Sequence, residues 1–266
     1  MGPISILAAA RDEFAITVER YAQLVEGVPD TSIPIPDSEW TVRDATVHVC
    51  GSIQRMATLA GGEASTVPSV DKDFMAARAR KLIDEDPETD GGKLADRIRD
   101  GLARLLELTA TLPGDHPIAY HAGLRLNLAQ LFSLYLGEYL LHGYDVAVAI
   151  EAPWPIDPGD AALAVAGFRA CYPAIFNPIA AAGLDATYQL DTAGMDPFFV
   201  RITGSTYDTP TTPERVDCII SADPVTAVLV LSGRLSQWAA IALGRLTFSG
   251  TCPEYGPRFN DLFVFP

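Results

Sequence analysis

The feature that most constrains the fold of this chain is a change in hydrophobic periodicity a little past its midpoint. Up to about residue 150, apolar residues recur three and four positions apart over long stretches, as they do on amphipathic helices. After the proline-rich segment EAPWPIDPGD, they fall instead in short runs of β-branched and aromatic residues. This change predicts an α+β protein in which a helical domain precedes a small mixed domain.

The helical part contains four long amphipathic stretches joined by loops. One of these loops is the acidic segment DEDPETDGG, which we interpret as solvated. Four helices of this length are typical of an antiparallel four-helix bundle. The predicted helices span about 7–26, from Thr41 through about Met56, about 93–112 and about 127–150.

The mixed part is predicted to contain one further helix at about 161–175 and several strands. The strand-like segments are ATYQLDT, FFVRITG, VDCIISAD and RLTFSG, and two short helical patterns, PVTAVLVLSG and LSQWAAIALG, precede the last of them. We place the domain boundary in the proline-rich segment, which predicts domains at 1–153 and 154–266.

The charge of the chain excludes several classes of partner. The formal net charge is −15, and no run of Lys or Arg offsets it locally. Such a chain repels phosphate backbones and anionic lipid surfaces, which argues against nucleic-acid and membrane binding. No uninterrupted apolar stretch reaches the roughly 18 residues of a membrane span, and the N-terminus lacks the pattern of a secretion signal. We therefore expect a cytoplasmic protein, either a monomer or a homodimer.

Three polar residues interrupt the apolar helix that contains LGEYLLHGYDV. Glu138, His142 and Asp145 project onto one face of this predicted helix. Burying a carboxylate and an imidazole costs on the order of several kcal/mol unless each finds a partner. Two readings of the pattern stay open: a Glu–His hydrogen bond in the bundle core, or a bound cation.

A second imidazole lies on the helix that follows Thr41. In EWTVRDATVHVCGS, His48 is surrounded by valine and alanine. Two histidines and one carboxylate from two helices are a common ligand set for Zn²⁺ or a similar ion, with a fourth position left for water or substrate. Cys50 would face the opposite side of this helix, which argues against a Cys–His nucleophile, and we expect all four cysteines to be buried thiols.

These two motifs carry a resemblance to a known family. The pattern W-T-V-R-D-x-x-x-H at 40–48, with E-x-x-x-H-x-x-D at 138–145 and a small α+β domain after it, resembles the mycothiol-dependent maleylpyruvate isomerase family. That family joins a DinB-like metal-binding bundle to a C-terminal domain similar to sterol carrier protein 2. The resemblance implies that His48, Glu138 and His142 hold a divalent metal, and zinc is the metal that we favour. It also implies that Asp145 orients a ligand imidazole or fixes its helix against a neighbour.

The resemblance further implies an activity. Mycothiol, the low-molecular-weight thiol of actinobacteria, would be the cosubstrate, and its metal-bound thiolate would attack a small electrophile, which makes the chain an isomerase or an S-transferase. A dicarboxylate electrophile would need arginines. Arg234 and Arg245, each preceded by glycine, are the favoured substrate-binding candidates, and His121 is placed near the pocket mouth. Other candidate arginines are Arg43, Arg55, Arg125 and Arg201.

A non-catalytic alternative stays open at this point. The C-terminal domain, if it is similar to sterol carrier domains, would hold a lipid or another small apolar ligand. The polar residues of the bundle would then be a structural cluster, or would bind a metal without turnover.

Overall fold

The computed structural model describes residues 3–265, which fall into two compact units. The first unit comprises the described residues up to Ile156 together with Ala166–Cys171. The second comprises Asp157–Val165 and Tyr172–Phe265. That 1–153 and 154–266 are separate domains, as the sequence predicts, stays a prediction. No described helix combines the length and the apolar character that crossing a membrane requires.

Five long helices build the first unit, and four of them form the predicted bundle. Helices α1 and α2 each pack against both α4 and α5, whereas α3 contacts α2. A two-stranded antiparallel sheet precedes α5. The elements are α1 (Pro3–Glu26), α2 (Val42–Ala60), α3 (Lys72–Glu85), α4 (Gly91–Leu108), β1 (Pro117–Ala119), β2 (Arg125–Asn127) and α5 (Leu128–Ala149).

A chain of edge-to-face aromatic rings fills the bundle core between α1 and α5. Phe14 of α1 lies 5.5 Å from Phe132 and 5.5 Å from Tyr139 of α5, measured between ring centroids. The Tyr139 hydroxyl also donates a hydrogen bond of 3.0 Å to the backbone oxygen of Val49 in α2. These contacts fix α5 against both α1 and α2, which brings the polar faces of α2 and α5 together.

Helix α3 was not predicted, and its composition explains why. Only Ala79 and Ile83 of this helix are buried, so it lacks the apolar stripe that identifies the other helices. Asp71 caps its start, and Arg80 ties it to Asp44 of α2 by an ion pair of 3.3 Å. The acidic segment after α3 is shorter than the predicted loop. It is also not simply solvated, because Asp86 forms an ion pair of 2.6 Å with Arg97 of α4.

The second unit contains a five-stranded sheet with the order β5-β4-β3-β6-β7. Strand β3 is antiparallel to β4 and parallel to β6. The α+β class predicted from sequence is confirmed. The elements of this half of the chain are α6 (Pro158–Ala170), α7 (Tyr172–Ile175), β3 (Leu184–Thr192), β4 (Phe198–Gly204), β5 (Thr206–Asp208), β6 (Cys218–Ala222), α8 (Pro224–Leu231), α9 (Gln237–Ala242), β7 (Leu246–Ser249) and α10 (Phe259–Leu262).

Two details differ from the sequence prediction. The single helix expected at about 161–175 is interrupted at Cys171, just before Pro173, which has no backbone N–H to continue the hydrogen-bond ladder. The short edge strand β5 was not predicted. The similarity of this unit to sterol carrier protein 2 stays a prediction.

Candidate metal centre

Two capping boxes fix the helices that carry the site. The Thr41 hydroxyl accepts the Asp44 backbone N–H, and the Asp44 carboxylate accepts the Thr41 N–H, both at 3.2 Å. Asn127 and Gln130 form the same reciprocal pair at the start of α5, with both distances 2.9 Å. Because a capping box sets the residue at which a helix begins, it also sets which side chains share a face further along.

The structure brings together the three predicted ligands. The Nε2 atom of His48 lies 3.0 Å from Oε1 of Glu138, and the imidazole centroids of His48 and His142 are 5.0 Å apart. One potential ligand atom from each of the three residues lies within 4.8 Å of the other two. Among the described residues, this is the one group of three or more His, Cys, Asp or Glu side chains close enough to share an ion.

Burial and hydrogen bonding set the charge states of this group. Burial acts to raise the pKa of Glu138, but its hydrogen bonds with His48 and Ser52 and the nearby imidazoles lower it to about 2. Burial lowers the pKa of His48, although the Glu138 carboxylate acts in the opposite direction. At neutral pH the carboxylate is therefore ionised and the imidazole unprotonated, which are the forms that bind metals.

Two contacts of the site were not foreseen. The Ser52 hydroxyl, one helical turn after His48, donates a short hydrogen bond to Oε1 of Glu138. The indole of Trp40 lies 5.0 Å from the His48 ring and stacks on the His142 ring at 5.7 Å with an interplanar angle of 20°. The spacing of Ser52 from His48 was a usable signal, since residues four apart share a helix face.

Asp145 lies beside the His142 ring. Its Oδ2 atom is 3.4 Å from Nδ1 of His142, a buried nitrogen that no described group meets in hydrogen-bonding geometry. A carboxylate at this position favours the tautomer with the proton on Nδ1, which leaves the lone pair of Nε2 for a ligand bond. This placement fits the orienting role, whereas the sequence favours the structural role of fixing the helix, and both roles stay predictions.

The predicted substrate residues have varied surroundings. In the second unit, Arg245 lies 3.8 Å from an Asp223 carboxylate oxygen, and Arg234 donates to the Ser232 backbone oxygen at 3.1 Å. Their role in substrate binding stays a prediction. His121 is buried, with 2% of its surface exposed, and its placement near the mouth of a substrate pocket stays a prediction.

The cysteines carry no reactive signature. Cys50 is buried and directs its sulfur toward the backbone oxygen of Leu94 in α4 at 3.6 Å, away from His48. Burial raises its pKa to about 12. Cys171 and Cys218 are buried as expected, whereas Cys252 is half-buried.

Fold and site together define a helical-bundle protein with a candidate divalent-metal centre between α2 and α5 and a separate α+β unit. The family model described as the mycothiol maleylpyruvate isomerase N-terminal domain matches residues 11–147, slightly more than half of the chain. The chain therefore belongs to the mycothiol maleylpyruvate isomerase N-terminal domain family.

Solved structures extend the likeness of fold beyond the matched segment. Crystal structures of the mycothiol-dependent maleylpyruvate isomerase and of its histidine-to-alanine mutant superpose with TM-scores of 0.52 and 0.55. Each is 15% identical and covers 91% of this chain and 92% of its own. At this identity the likeness shows a shared fold. No curated protein matches the chain significantly in sequence.

Proposed function

We propose that this protein is a metal-dependent enzyme that uses mycothiol as a thiol cosubstrate, either to isomerise a small electrophile or to transfer sulfur to it. The observation that carries the proposal is the convergence of His48, Glu138 and His142, whose ligand atoms lie within 4.8 Å of one another. Family membership and the names of the structural relatives supply the thiol and the reaction class.

The side chains present fit a divalent ion. Zinc binds imidazole nitrogen and carboxylate oxygen at about 2.0–2.2 Å, so two ligand atoms on one ion are no more than about 4 Å apart. The three ligand atoms would therefore have to move only slightly toward one another to bind the same ion. Two histidines and one carboxylate leave one position of a tetrahedral site for an exchangeable ligand, the arrangement of catalytic rather than structural zinc.

The remaining residues prepare the site. When bound, a divalent ion lowers the pKa of a coordinated thiol, so that the sulfur is a thiolate at neutral pH. Ser52 restrains the Glu138 carboxylate, Asp145 orients the His142 imidazole, and Trp40 covers both imidazoles from water. The thiolate sulfur would add to one carbon of a conjugated double bond, and the π electrons of that bond would move into the conjugated group, so that rotation about the remaining single bond becomes possible before the thiolate leaves. The new carbon–sulfur bond is kept in S-transfer and breaks again in isomerisation, which releases the thiol.

One observation favours a second candidate. His48 and Glu138 hydrogen-bond directly at 3.0 Å, and Ser52 satisfies Glu138 further, so the cluster is stable as a polar pair without an ion. In that case the protein is non-catalytic, and the second unit binds a lipid or another small apolar ligand.

Metal content separates the two candidates. The enzyme reading predicts about one zinc-like ion per chain by mass spectrometry of purified protein, lost in His48→Ala and Glu138→Gln. His116→Ala, a partly exposed histidine outside the site, is the matched control and should keep the ion. Full retention of the ion in both site variants would refute the ligand assignment.

Thiol binding tests the second half of the proposal. Cobalt-substituted protein should develop a sulfur-to-cobalt charge-transfer band when mycothiol is added, because a thiolate then enters the open position. S-methylated mycothiol, which cannot form a thiolate, is the control. If neither compound produced a charge-transfer band, the proposal would be contradicted. If lipids raised the melting temperature whether or not metal was present, the result would favour a lipid-binding protein.

A further inference from the structure

Arg55 is a partly buried cation beside the candidate metal centre, and it forms no ion pair with any described residue. It lies on α2, seven residues and two turns after His48. Other arginines of this unit are paired: Arg80 with Asp44, and Arg97 with Asp86. The carboxylate whose charge acts on Arg55 is that of Glu138, which already bonds His48 and Ser52. Buried charges are normally paired, so Arg55 requires an explanation.

A second cation stands close to the first. Arg78 of α3 is also partly buried, and burial together with the charge of Arg55 lowers its pKa. Two guanidinium groups near each other repel, and each lowers the electrostatic cost of placing an anion between them. This local positive charge contrasts with the net charge of −15 for the whole chain.

His121 adds a neutral hydrogen-bond donor. Its Nδ1 atom lies 2.5 Å from the Ser65 hydroxyl, which itself accepts the Val67 backbone N–H at 3.1 Å. When Ser65 donates its own proton to Nδ1, the proton of the neutral imidazole is on Nε2, which makes Nε2 a donor. That Nε2 is buried and has no hydrogen-bond partner among the described residues. Burial, then the charges of Arg55 and Arg78, lower the pKa of His121 to about 4, so the ring is neutral at pH 7.

Tyr135 supplies a third donor without a partner. Its side chain is 0% exposed, and burial raises the pKa of its hydroxyl. Arg55 and Tyr120 lie close enough to that hydroxyl to act on its pKa in the lowering direction, but no described group meets it in good hydrogen-bonding geometry. Tyr135 lies on α5 three residues before Glu138, so its side chain shares that face of the helix. The group thus combines guanidinium, imidazole and phenol donors, and the carboxylate whose charge reaches Arg55, His121 and Tyr135 is that of Glu138, which already bonds His48 and Ser52.

We propose that Arg55, His121 and Tyr135, with Arg78 beside them, form an anion subsite next to the metal centre that binds a carboxylate of the second substrate. An all-donor set around an unpaired cation matches an acceptor-only ligand, and a guanidinium fork matches a carboxylate in particular. The identity of the ligand as the second substrate rests on the proposed function. The binding of a carboxylate does not, because none of these groups is a metal ligand.

The test uses chelator-treated, metal-free protein, so that no ion can bind the probe. Maleate titrated by calorimetry should bind, whereas maleamide, its neutral analogue of similar shape, should not. Arg55→Met, which keeps an apolar stem of similar length, should weaken maleate binding about tenfold or more, as for loss of a charge-assisted hydrogen bond. Arg104→Met, an exposed arginine of α4, is the matched control and should bind like the wild type.

Four results would overturn the subsite, and the first three concern the binding measurements on metal-free protein. They are equal maleate affinity of Arg55→Met and the wild type, equal binding of maleate and maleamide, and inorganic phosphate binding as tightly as maleate, which would indicate an adventitious ion only. A requirement for added zinc would also overturn it, since the metal would then be the anion receptor.

A second variant separates ligand binding from a structural role. Tyr135→Phe removes a hydroxyl that has no partner in the free protein, so the melting temperature should stay the same or rise, while maleate affinity falls several-fold. A lower melting temperature with unchanged affinity would assign the hydroxyl to the fold and contradict the proposal.

Failure here can be told apart from failure of the proposed function. His48→Ala should lose the metal and still bind maleate, because the subsite residues are intact. If wild-type protein binds maleate but no metal, the proposed function fails and the subsite stands. If metal and thiol bind but maleate does not, the subsite alone is wrong.

Discussion

His48 Nε2 lies 3.0 Å from Glu138 Oε1, a contact between residues that are 90 positions apart and on different helices. It joins α2 to α5 at the point where both helices turn a polar side toward the bundle interior. Two capping boxes and the Tyr139 hydrogen bond to the α2 backbone hold the helices in this register. The contact is thus a consequence of how the bundle is assembled.

Ser52→Ala should weaken metal binding while the fold is kept. The Ser52 hydroxyl restrains the Glu138 carboxylate, and loss of such a supporting hydrogen bond typically costs about 10-fold or more in metal affinity. Competition with a chromophoric chelator measures the change, and Ser69→Ala, outside the site, is the control. Unchanged affinity in Ser52→Ala would show that Ser52 does not orient the carboxylate.

Gly143→Ala and Gly51→Ala should have opposite effects on stability. Gly143, next to His142, packs so closely on Trp154 that an added Cβ would lie 2.1 Å from a ring carbon, whereas a Cβ on Gly51 of α2 meets nothing within 4 Å. Alanine in a helix interior normally stabilises by up to about 1 kcal/mol, and overpacking costs about 1–3 kcal/mol. Urea unfolding should show Gly51→Ala to be more stable than the wild type and Gly143→Ala less stable. Equal shifts in both variants would contradict the packing described.

Tyr139→Phe and Tyr135→Phe form a second matched pair on α5. Both side chains are fully buried, but only the Tyr139 hydroxyl makes a hydrogen bond, at 3.0 Å to Val49. Tyr139→Phe should lower the free energy of unfolding by about 1 kcal/mol, and Tyr135→Phe should not lower it. Denaturant titration of the two variants measures the difference, and a reversed order would refute the assignment of these hydroxyls.

The stability of the protein should depend on pH through His121. Its pKa is about 4 in the folded protein, whereas an imidazole in an unfolded chain titrates near 6.5. Between about pH 4 and 6.5 the unfolded chain binds more protons than the folded protein does. The contribution of neutral His121 to the free energy of unfolding is therefore complete above about pH 6.5. It falls by up to about 3 kcal/mol as the pH falls toward 4.

His121→Gln removes this titration. Its free energy of unfolding should therefore fall less steeply with pH than that of the wild type between about pH 6.5 and 4. Thr111→Gln, a change at an exposed position without an ionisable side chain, should keep the wild-type slope. Thermal unfolding in non-carboxylate buffers measures all three proteins. Identical slopes for wild type and His121→Gln would show that burial does not hold this imidazole neutral.

Much of the fold could be predicted because its signals are local. The apolar stripes of α1, α2, α4 and α5 and the β-branched runs of the sheet are visible in short windows of sequence. Helix α3 gave no such signal, since Ala79 and Ile83 are its only buried residues and its ion pair with Asp44 depends on the tertiary structure.

The candidate site was only partly predictable for a related reason. Helical projection places Glu138 and His142 on one face, but it does not say which residues lie across from them. Trp40 precedes α2, and its stacking on His142 depends on how α2 and α5 meet. His121 looked like a loop residue, and only the folded chain places it against Ser65.

Anomalous diffraction at the zinc edge, from crystals of zinc-loaded protein, shows whether His48, Glu138 and His142 bind a metal ion. If these three residues bind the metal, one strong anomalous peak per chain is expected, at about 2.0–2.2 Å from a nitrogen of His48, a nitrogen of His142 and a carboxylate oxygen of Glu138. A map without a peak at these residues, in which His48 and Glu138 keep their direct hydrogen bond while zinc is present, would contradict this ligand assignment.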